Sequence, residues 1–193
     1  MDVHAYIKAN TQFKGGVAYV HKHENYRRPL YVIFSGAIDK FICISWFFDS
    51  ERYNCLWIKD SHPHKSFTDC NVGGLLREMC ARYRGCVMFG MSMGGIGALL
   101  QAPCISETLA CICVDCETRG IADAEFFESL KKGTQREQTY KVHLLSCSNS
   151  TEVNLHRRIS EHFKNCTVET CPKQGHLANI PSQGYLRRLF DLY

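Results

Sequence analysis

Residues 87–95 read Val87-Met88-Phe89-Gly90-Met91-Ser92-Met93-Gly94-Gly95, and the small and apolar run 96–100 follows directly. The first part has the composition of a buried strand, the last part that of a helix, and G-x-S-x-G joins them. Its glycines allow a sharp turn and keep side-chain bulk away from the serine. We therefore expect a strand-turn-helix unit, with the Ser92 hydroxyl exposed above a sheet edge and the Met93 N–H at the start of the helix facing the same space.

Apolar, strand-like runs alternate with helix-like segments on both sides of this unit. The strand-like runs lie at 17–20, 30–34, 41–46, 55–60, 109–114, 141–146 and 167–170, and the helix-like segments at 75–83, 124–132, 153–163 and 184–192. Strands that are apolar along their whole length are typical of a mostly parallel sheet covered on both faces. The pattern predicts a three-layer α/β fold. No repeat or linker interrupts it, so we expect one domain over residues 1–193.

The overall composition excludes several classes of protein. Of the 193 residues, 45% are hydrophobic and 22% charged, and the formal net charge is only +4. The basic pairs, such as Arg27-Arg28 and Lys131-Lys132, are scattered and form no tract, which argues against nucleic-acid binding. No apolar stretch approaches the roughly 18 residues of a membrane span, and the N-terminus lacks the pattern of a secretory signal.

The chain contains twelve cysteines, yet their distribution does not indicate a disulfide framework. Half of them lie inside apolar, strand-like segments, where cysteine behaves as a small hydrophobic residue. We expect free thiols in a reducing, cytoplasmic environment. Cys113-Val114-Asp115-Cys116 is a C-x-x-C, but no second ligand pair has zinc spacing, so core packing is favoured over a metal site.

A serine hydroxyl becomes a useful nucleophile when a base contacts it and an acid orients the base. Among the histidines downstream of Ser92, His143 is placed inside a strand, and His156 and His162 on a helix. His176 differs, because it follows the last strand in a loop that contains glycine, at the edge where the serine is expected. We therefore predict His176 as the base.

Three carboxylates compete for the acid position, with Asp123 a more distant alternative. Glu152 is the only carboxylate in the loop after the penultimate strand, and it is the residue we favour. Asp115 and Glu117 follow the preceding strand and stay open as alternatives. For the oxyanion, the Met93 amide needs a second donor, and the turn Ser35-Gly36-Ala37-Ile38 after an earlier strand predicts the Ala37 amide.

Taken in order, Phe34-Ser35-Gly36, residues 56–60, the G-x-S-x-G run and Gly175-His176 resemble the α/β-hydrolase superfamily. More loosely, they resemble the small serine hydrolases that accompany bacterial surface-polysaccharide and glycan-modification genes. The resemblance covers about residues 17–190 and implies an esterase-type Ser-His-acid site made of Ser92, His176 and an acid near Glu152. Two features depart from the superfamily: no aspartate stands at the usual acid position, and the short chain leaves space only for a minimal lid, expected within residues 119–140.

These observations predict a serine hydrolase that cleaves a carboxylic ester or thioester through an acyl-enzyme on Ser92, with no metal or organic cofactor. The partner expected is a small acylated substrate, such as an acylated sugar or glycan. Two alternatives stay open: an acyltransferase that uses the same site, and a non-catalytic binding or assembly protein with the same fold. The sequence carries no indication of the oligomeric state.

Overall fold

Eight strands form one sheet in the structure, a computed structural model that describes residues 2–36, 40–61, 67, 72–118, 123–134, 138–147, 150–171 and 183–193. The strands are β1 (Gln12–Lys14), β2 (Val17–Lys22), β3 (Leu30–Phe34), β4 (Asn54–Asp60), β5 (Cys86–Met91), β6 (Thr108–Val114), β7 (Lys141–Cys147) and β8 (Cys166–Cys171). Their order across the sheet is β1-β2-β4-β3-β5-β6-β7-β8. β2 pairs antiparallel with β1 and β4, whereas every other pair is parallel.

Helices cover both faces of the sheet, which confirms the three-layer arrangement. They are α1 (Val3–Asn10), α2 (Ile44–Phe47), α3 (Val72–Cys80), α4 (Met93–Gln101), α5 (Asp123–Thr134), α6 (Ser150–Ser160) and α7 (Gln183–Phe190). On one face, α3, α4, α5 and α6 contribute residues such as Leu76 and Phe126 to one buried cluster. On the other face, α1, α2 and α7 pack around a second cluster, in which Phe190 stacks on Tyr31 and Phe47 with ring centroids 4.6 and 4.9 Å apart.

The central strand β3 shows why the apolar runs became inner strands. All five of its residues are buried, and it pairs in parallel with β4 on one side and β5 on the other. A strand between two neighbours, with helices on both faces, meets apolar groups in every side-chain direction. The parallel arrangement brings the carboxyl ends of β3, β5, β6, β7 and β8 to one edge of the sheet. This edge carries Ser92.

The sequence prediction was wrong for residues 41–46, which were expected to form a strand. The structure places a short helix there, α2, after Cys43 in a left-handed conformation with φ 57°. A short apolar run does not distinguish a buried strand from a buried helix. Because β3 and β4 pair directly with each other, the run packs on the sheet face instead, burying Ile44 and Phe47. The two N-terminal elements α1 and β1 were missed; all three residues of β1 are exposed, and α1 buries no residue.

Residues 119–140 contain α5, whose Phe126 and Leu130 are buried in the cluster shared with α3 and α4. The lid expected in this segment stays a prediction, since 119–122 and 135–137 lie outside the described residues. Within the described part of the chain, no helix is both long and apolar enough to cross a membrane. The nine cysteines whose side chains the structure describes are all free.

Candidate active site

Ser92 stands in the turn between β5 and α4 with φ 54° and ψ −129°, which confirms the strand-turn-helix unit. Non-glycine residues rarely adopt a positive φ, and such strain persists where the surroundings enforce it, often at functional sites. Two backbone hydrogen bonds hold the turn: the Ser92 N–H donates to the Val114 carbonyl (2.9 Å), and the Gly95 N–H donates to the Ser92 carbonyl (3.0 Å). The serine is therefore fixed at the carboxyl end of β5.

The glycines on each side of Ser92 are required by close backbone approach. A Cβ at Gly90 would lie 2.1 Å from the Gly94 carbonyl oxygen. A Cβ at Gly94 would lie 2.3 Å from the Phe34 carbonyl oxygen of β3. Both distances are far below van der Waals contact, so α4 can begin this close to β3 and β5 only with hydrogen at both positions. The G-x-S-x-G pattern thus follows from packing as well as from the turn.

The two sides of the expected oxyanion site approach each other in the structure. Met93 is the first residue of α4, where backbone N–H groups have no partner within the helix. Across from it, the loop after β3 is so close that a Cβ at Gly36 would lie 3.7 Å from the Ser92 Cβ and 4.0 Å from the Gly94 nitrogen. Ala37, the next residue, lies outside the described residues, so its amide stays a predicted donor.

A carboxylate contacts the serine directly. The Ser92 hydroxyl donates a hydrogen bond to Oε2 of Glu117 (3.1 Å). The sequence left Glu117 open as an acid that would orient the base, whereas in the structure it contacts the Ser92 hydroxyl itself. It lies on the turn after β6, where Asp115 has φ 45° and donates its N–H to the Leu145 carbonyl of β7 (2.8 Å).

Glu152, the favoured acid, lies in the first turn of α6, directly after β7. Its side chain is buried, with 7% exposure, as is that of Asp115, with 1%. β6 pairs in parallel with β5, and β7 pairs in parallel with β6, so both carboxylates follow strands that end at the edge carrying Ser92. Both positions therefore remain compatible with the acid role.

His156 has a part in this site that sequence reasoning did not predict. Its ring is fully buried, and Nε2 accepts a hydrogen bond from the Cys116 N–H (3.0 Å). Burial lowers the pKa of His156, but the neighbouring Cys116 thiol, with Asp115 and Glu152, outweighs this effect and raises the pKa above its usual value. His156 thus ties α6 to the turn that carries Glu117. The available sequence signal was its spacing, four residues after Glu152 on an amphipathic helix.

His176, the predicted base, lies outside the described residues. It follows β8 by five positions along the chain, and β8 ends at Cys171, opposite Cys147 of β7. Of the five predicted site residues, the structure therefore describes Ser92, Met93 and Glu152. It places the first two in the turn between β5 and α4, which we call the elbow, and adds Glu117 to them.

Comparisons with known proteins identify the architecture as the α/β-hydrolase fold. No family model matches the chain, and no curated protein matches it either. Solved structures do match. An α/β hydrolase enzyme from a sediment metagenome of the Mar Chica lagoon in Morocco has a TM-score of 0.64 at 16% identity, over 95% of this chain and 96% of that one.

Two further structures agree with this result. FphF, a fluorophosphonate-binding serine hydrolase of Staphylococcus aureus, has a TM-score of 0.63 at 9% identity, over 91% of each chain. Est1E from Butyrivibrio proteoclasticus has a TM-score of 0.64 at 12% identity, over 91% of this chain and 92% of that one. At such low identities the likeness establishes the fold, and function has to be argued from the site.

Proposed function

We propose that the chain is a serine hydrolase that cleaves a small carboxylic ester or thioester. The observation that carries the proposal is the strained backbone of Ser92, φ 54° and ψ −129°, at the start of α4. This conformation costs about 1–3 kcal/mol and presents the hydroxyl at the sheet edge where an acyl group can approach. The nearby Gly36 loop supports a second oxyanion donor on the opposite side of the same space.

In the proposed reaction, the Ser92 oxygen attacks the acyl carbonyl while His176 takes the hydroxyl proton. The Met93 and Ala37 amides stabilise the oxyanion. The bond to the leaving alcohol or thiol then breaks, and His176 returns the proton to that leaving group. Water attacks the acyl-enzyme by the same route, releasing the acid and restoring Ser92. Glu152 holds the imidazole in the tautomer that this proton transfer needs, and no cofactor takes part.

The contact between Ser92 and Glu117 has to break before the proposed reaction can begin. The Glu117 carboxylate accepts the Ser92 hydroxyl proton as a hydrogen bond, but a carboxylate is a much weaker base than an imidazole. We infer that the hydroxyl exchanges Glu117 for His176 before attack. The contact with Glu117 then belongs to the resting enzyme.

The substrate class proposed is a small acyl ester, such as an acylated sugar or glycan. A sugar hydroxyl that replaced water in the second step would make the protein an acyltransferase without any change of residues. The free thiols fit a reducing compartment, and we propose the cytoplasm as its location.

The proposal is tested with a fluorophosphonate probe and with p-nitrophenyl acetate. We expect labelling and turnover by the wild type, and a fall of about 10³-fold or more in Ser92→Ala. Ser106→Ala, on an exposed turn, is the matched control and should behave like the wild type. A folded wild type that neither reacts with the probe nor turns over the ester would instead support a non-catalytic binding protein.

A second set of variants identifies the acid. We expect Glu152→Ala to lower turnover by about 10⁴-fold, the loss that follows removal of a triad acid, and Asp115→Ala to have the smaller effect. If Asp115→Ala has the larger effect, the acid is instead Asp115, on the turn after β6. If neither variant slows turnover, the triad proposal fails and a Ser-His dyad replaces it.

A further inference from the structure

A second concave site lies at the opposite edge of the sheet from Ser92. It is a pocket of about 310 Å³, and its lining includes Arg27, Arg28, Arg52 and Arg84. These arginines precede β3, β4 and β5, whose amino ends meet at this edge. We call this site the arginine pocket. Nothing in the proposed hydrolase mechanism uses it.

The charge in the arginine pocket is unbalanced. Among the described residues that line it, Asp191 has the only acidic side chain, and it pairs with Arg52 at 3.1 Å. Arg28 donates to the Glu51 carbonyl (2.8 Å), which is a neutral partner. Among the residues that the structure describes, the side chains of Arg27 and Arg84 form neither an ion pair nor a hydrogen bond. Guanidinium groups that share a concavity repel one another, and a bound anion would relieve that repulsion.

The wall of the pocket is anchored to the core. The Tyr53 hydroxyl donates to Oδ1 of Asp191 (2.8 Å), and the Tyr31 hydroxyl donates to the Phe190 carbonyl (3.0 Å). Both tyrosine rings are buried. The tyrosine wall is therefore preformed, whereas the four arginines around it are exposed, and their side chains must be ordered when a ligand binds.

We propose that the arginine pocket binds the phosphoryl group of a small ligand. Guanidinium is planar and presents donors in a fork that matches phosphate oxygens, so several arginines around one concavity favour a multiply charged oxyanion. The volume lies at the small end of the range for ligand clefts. This size suits inorganic phosphate, diphosphate or a small phosphate ester, all of which present the same chemistry.

The test is isothermal titration of the full chain with diphosphate, supported by thermal unfolding with and without it. We expect saturable binding and a rise in Tm that sodium chloride at the same ionic strength does not reproduce. Separate titrations with inorganic phosphate and glycerol phosphate distinguish a free oxyanion from a phosphate ester. The Ser92→Ala variant should bind equally well, because the nucleophile lies at the other edge of the sheet.

The matched variants are Arg27→Ala/Arg84→Ala and Lys131→Ala/Lys132→Ala, which remove the same formal charge from the pocket and from an exposed part of α5. We expect the arginine variant to weaken binding tenfold or more, and the lysine variant to remain within twofold of the wild type. Arg27→Lys/Arg84→Lys keeps the positive charge but removes the paired guanidinium donors, so this variant should bind diphosphate several-fold more weakly than the wild type. Absence of binding to the wild type, or equal losses in the arginine and lysine variants, would overturn the proposal.

Discussion

The replacement Gly94→Ala tests the close packing that positions the elbow. A Cβ at this position would lie 2.3 Å from the Phe34 carbonyl oxygen and 2.8 Å from the Ser35 carbonyl oxygen. Ordinary van der Waals contact starts at 3.4 Å, so the start of α4 would have to move by about 1 Å (3.4 − 2.3). Both obstacles are backbone atoms of a buried region, and neither can rotate out of the way.

Overpacking of this kind costs about 1–3 kcal/mol and occasionally more. The change from glycine to alanine in a helix returns at most about 1 kcal/mol. We therefore expect Gly94→Ala to lower the free energy of unfolding by about 2 kcal/mol. The displacement also moves the Met93 amide, and a 1 Å error in a catalytic group can cost about 10²-fold in rate, so ester turnover should fall by at least tenfold.

The matched control is Gly74→Ala on α3. Gly74 is exposed, and a Cβ there has no atom within 4 Å. The same chemical change should stabilise the protein by about 0.5–1 kcal/mol, because it removes only the entropy cost of glycine in a helix. Urea unfolding at 25 °C, followed by far-UV circular dichroism, measures both variants. If Gly94→Ala matched the wild type while Gly74→Ala gained stability, the inference that α4 touches β3 at this point would be refuted.

Three further predictions concern two buried side chains and the pH dependence of the free energy of unfolding. Phe190→Ala removes the ring on which two aromatic residues stack and should cost about 3–5 kcal/mol in urea unfolding; a loss below 1 kcal/mol would contradict the packing described. His156→Ala leaves the buried Cys116 N–H without its acceptor. It should cost about 1–3 kcal/mol and slow ester turnover, whereas unchanged turnover in a destabilised variant would limit His156 to a structural role. Burial, with neighbouring positive charge, lowers the pKa of His21 from 6.5 to about 4. Between these pH values the unfolded chain therefore binds more protons than the folded chain, and the free energy of unfolding should fall as the pH drops from 6.5 to about 4. His21→Gln should reduce that fall by about 1 kcal/mol. An unchanged dependence of stability on pH in this variant would contradict the prediction.

The sequence predicted the fold correctly at the segments where the local residue pattern and the tertiary environment agree. The strands expected at 30–34 and 55–60 appear as β3 and β4 almost unchanged. Their residues are apolar because both faces of the sheet are covered. The local composition therefore predicts the buried environment of these strands. The elbow is the strongest case, since its glycines serve the turn and the close packing together.

Prediction failed where the local pattern was ambiguous or weak. Residues 41–46 are apolar in either conformation, and only the direct pairing of β3 with β4 excludes them from the sheet. β1 was missed because its three residues are exposed and carry no signal of burial. In both cases the outcome depends on neighbours that are not adjacent in the chain.

The amino-acid sequence alone was enough to predict the class of fold, from the alternation of apolar runs with helix-like segments, and the serine in the turn, from the glycines on either side of it. Two contacts could be found only in the folded chain: Glu117 with Ser92, and the His156 ring with the Cys116 N–H in the turn after β6. The arginine pocket is of the same kind, since the order of β3, β4 and β5 in the sheet gathers guanidinium groups from three separate segments. The physical reason is that strand order, which local composition does not encode, determines which chain segments become neighbours in space.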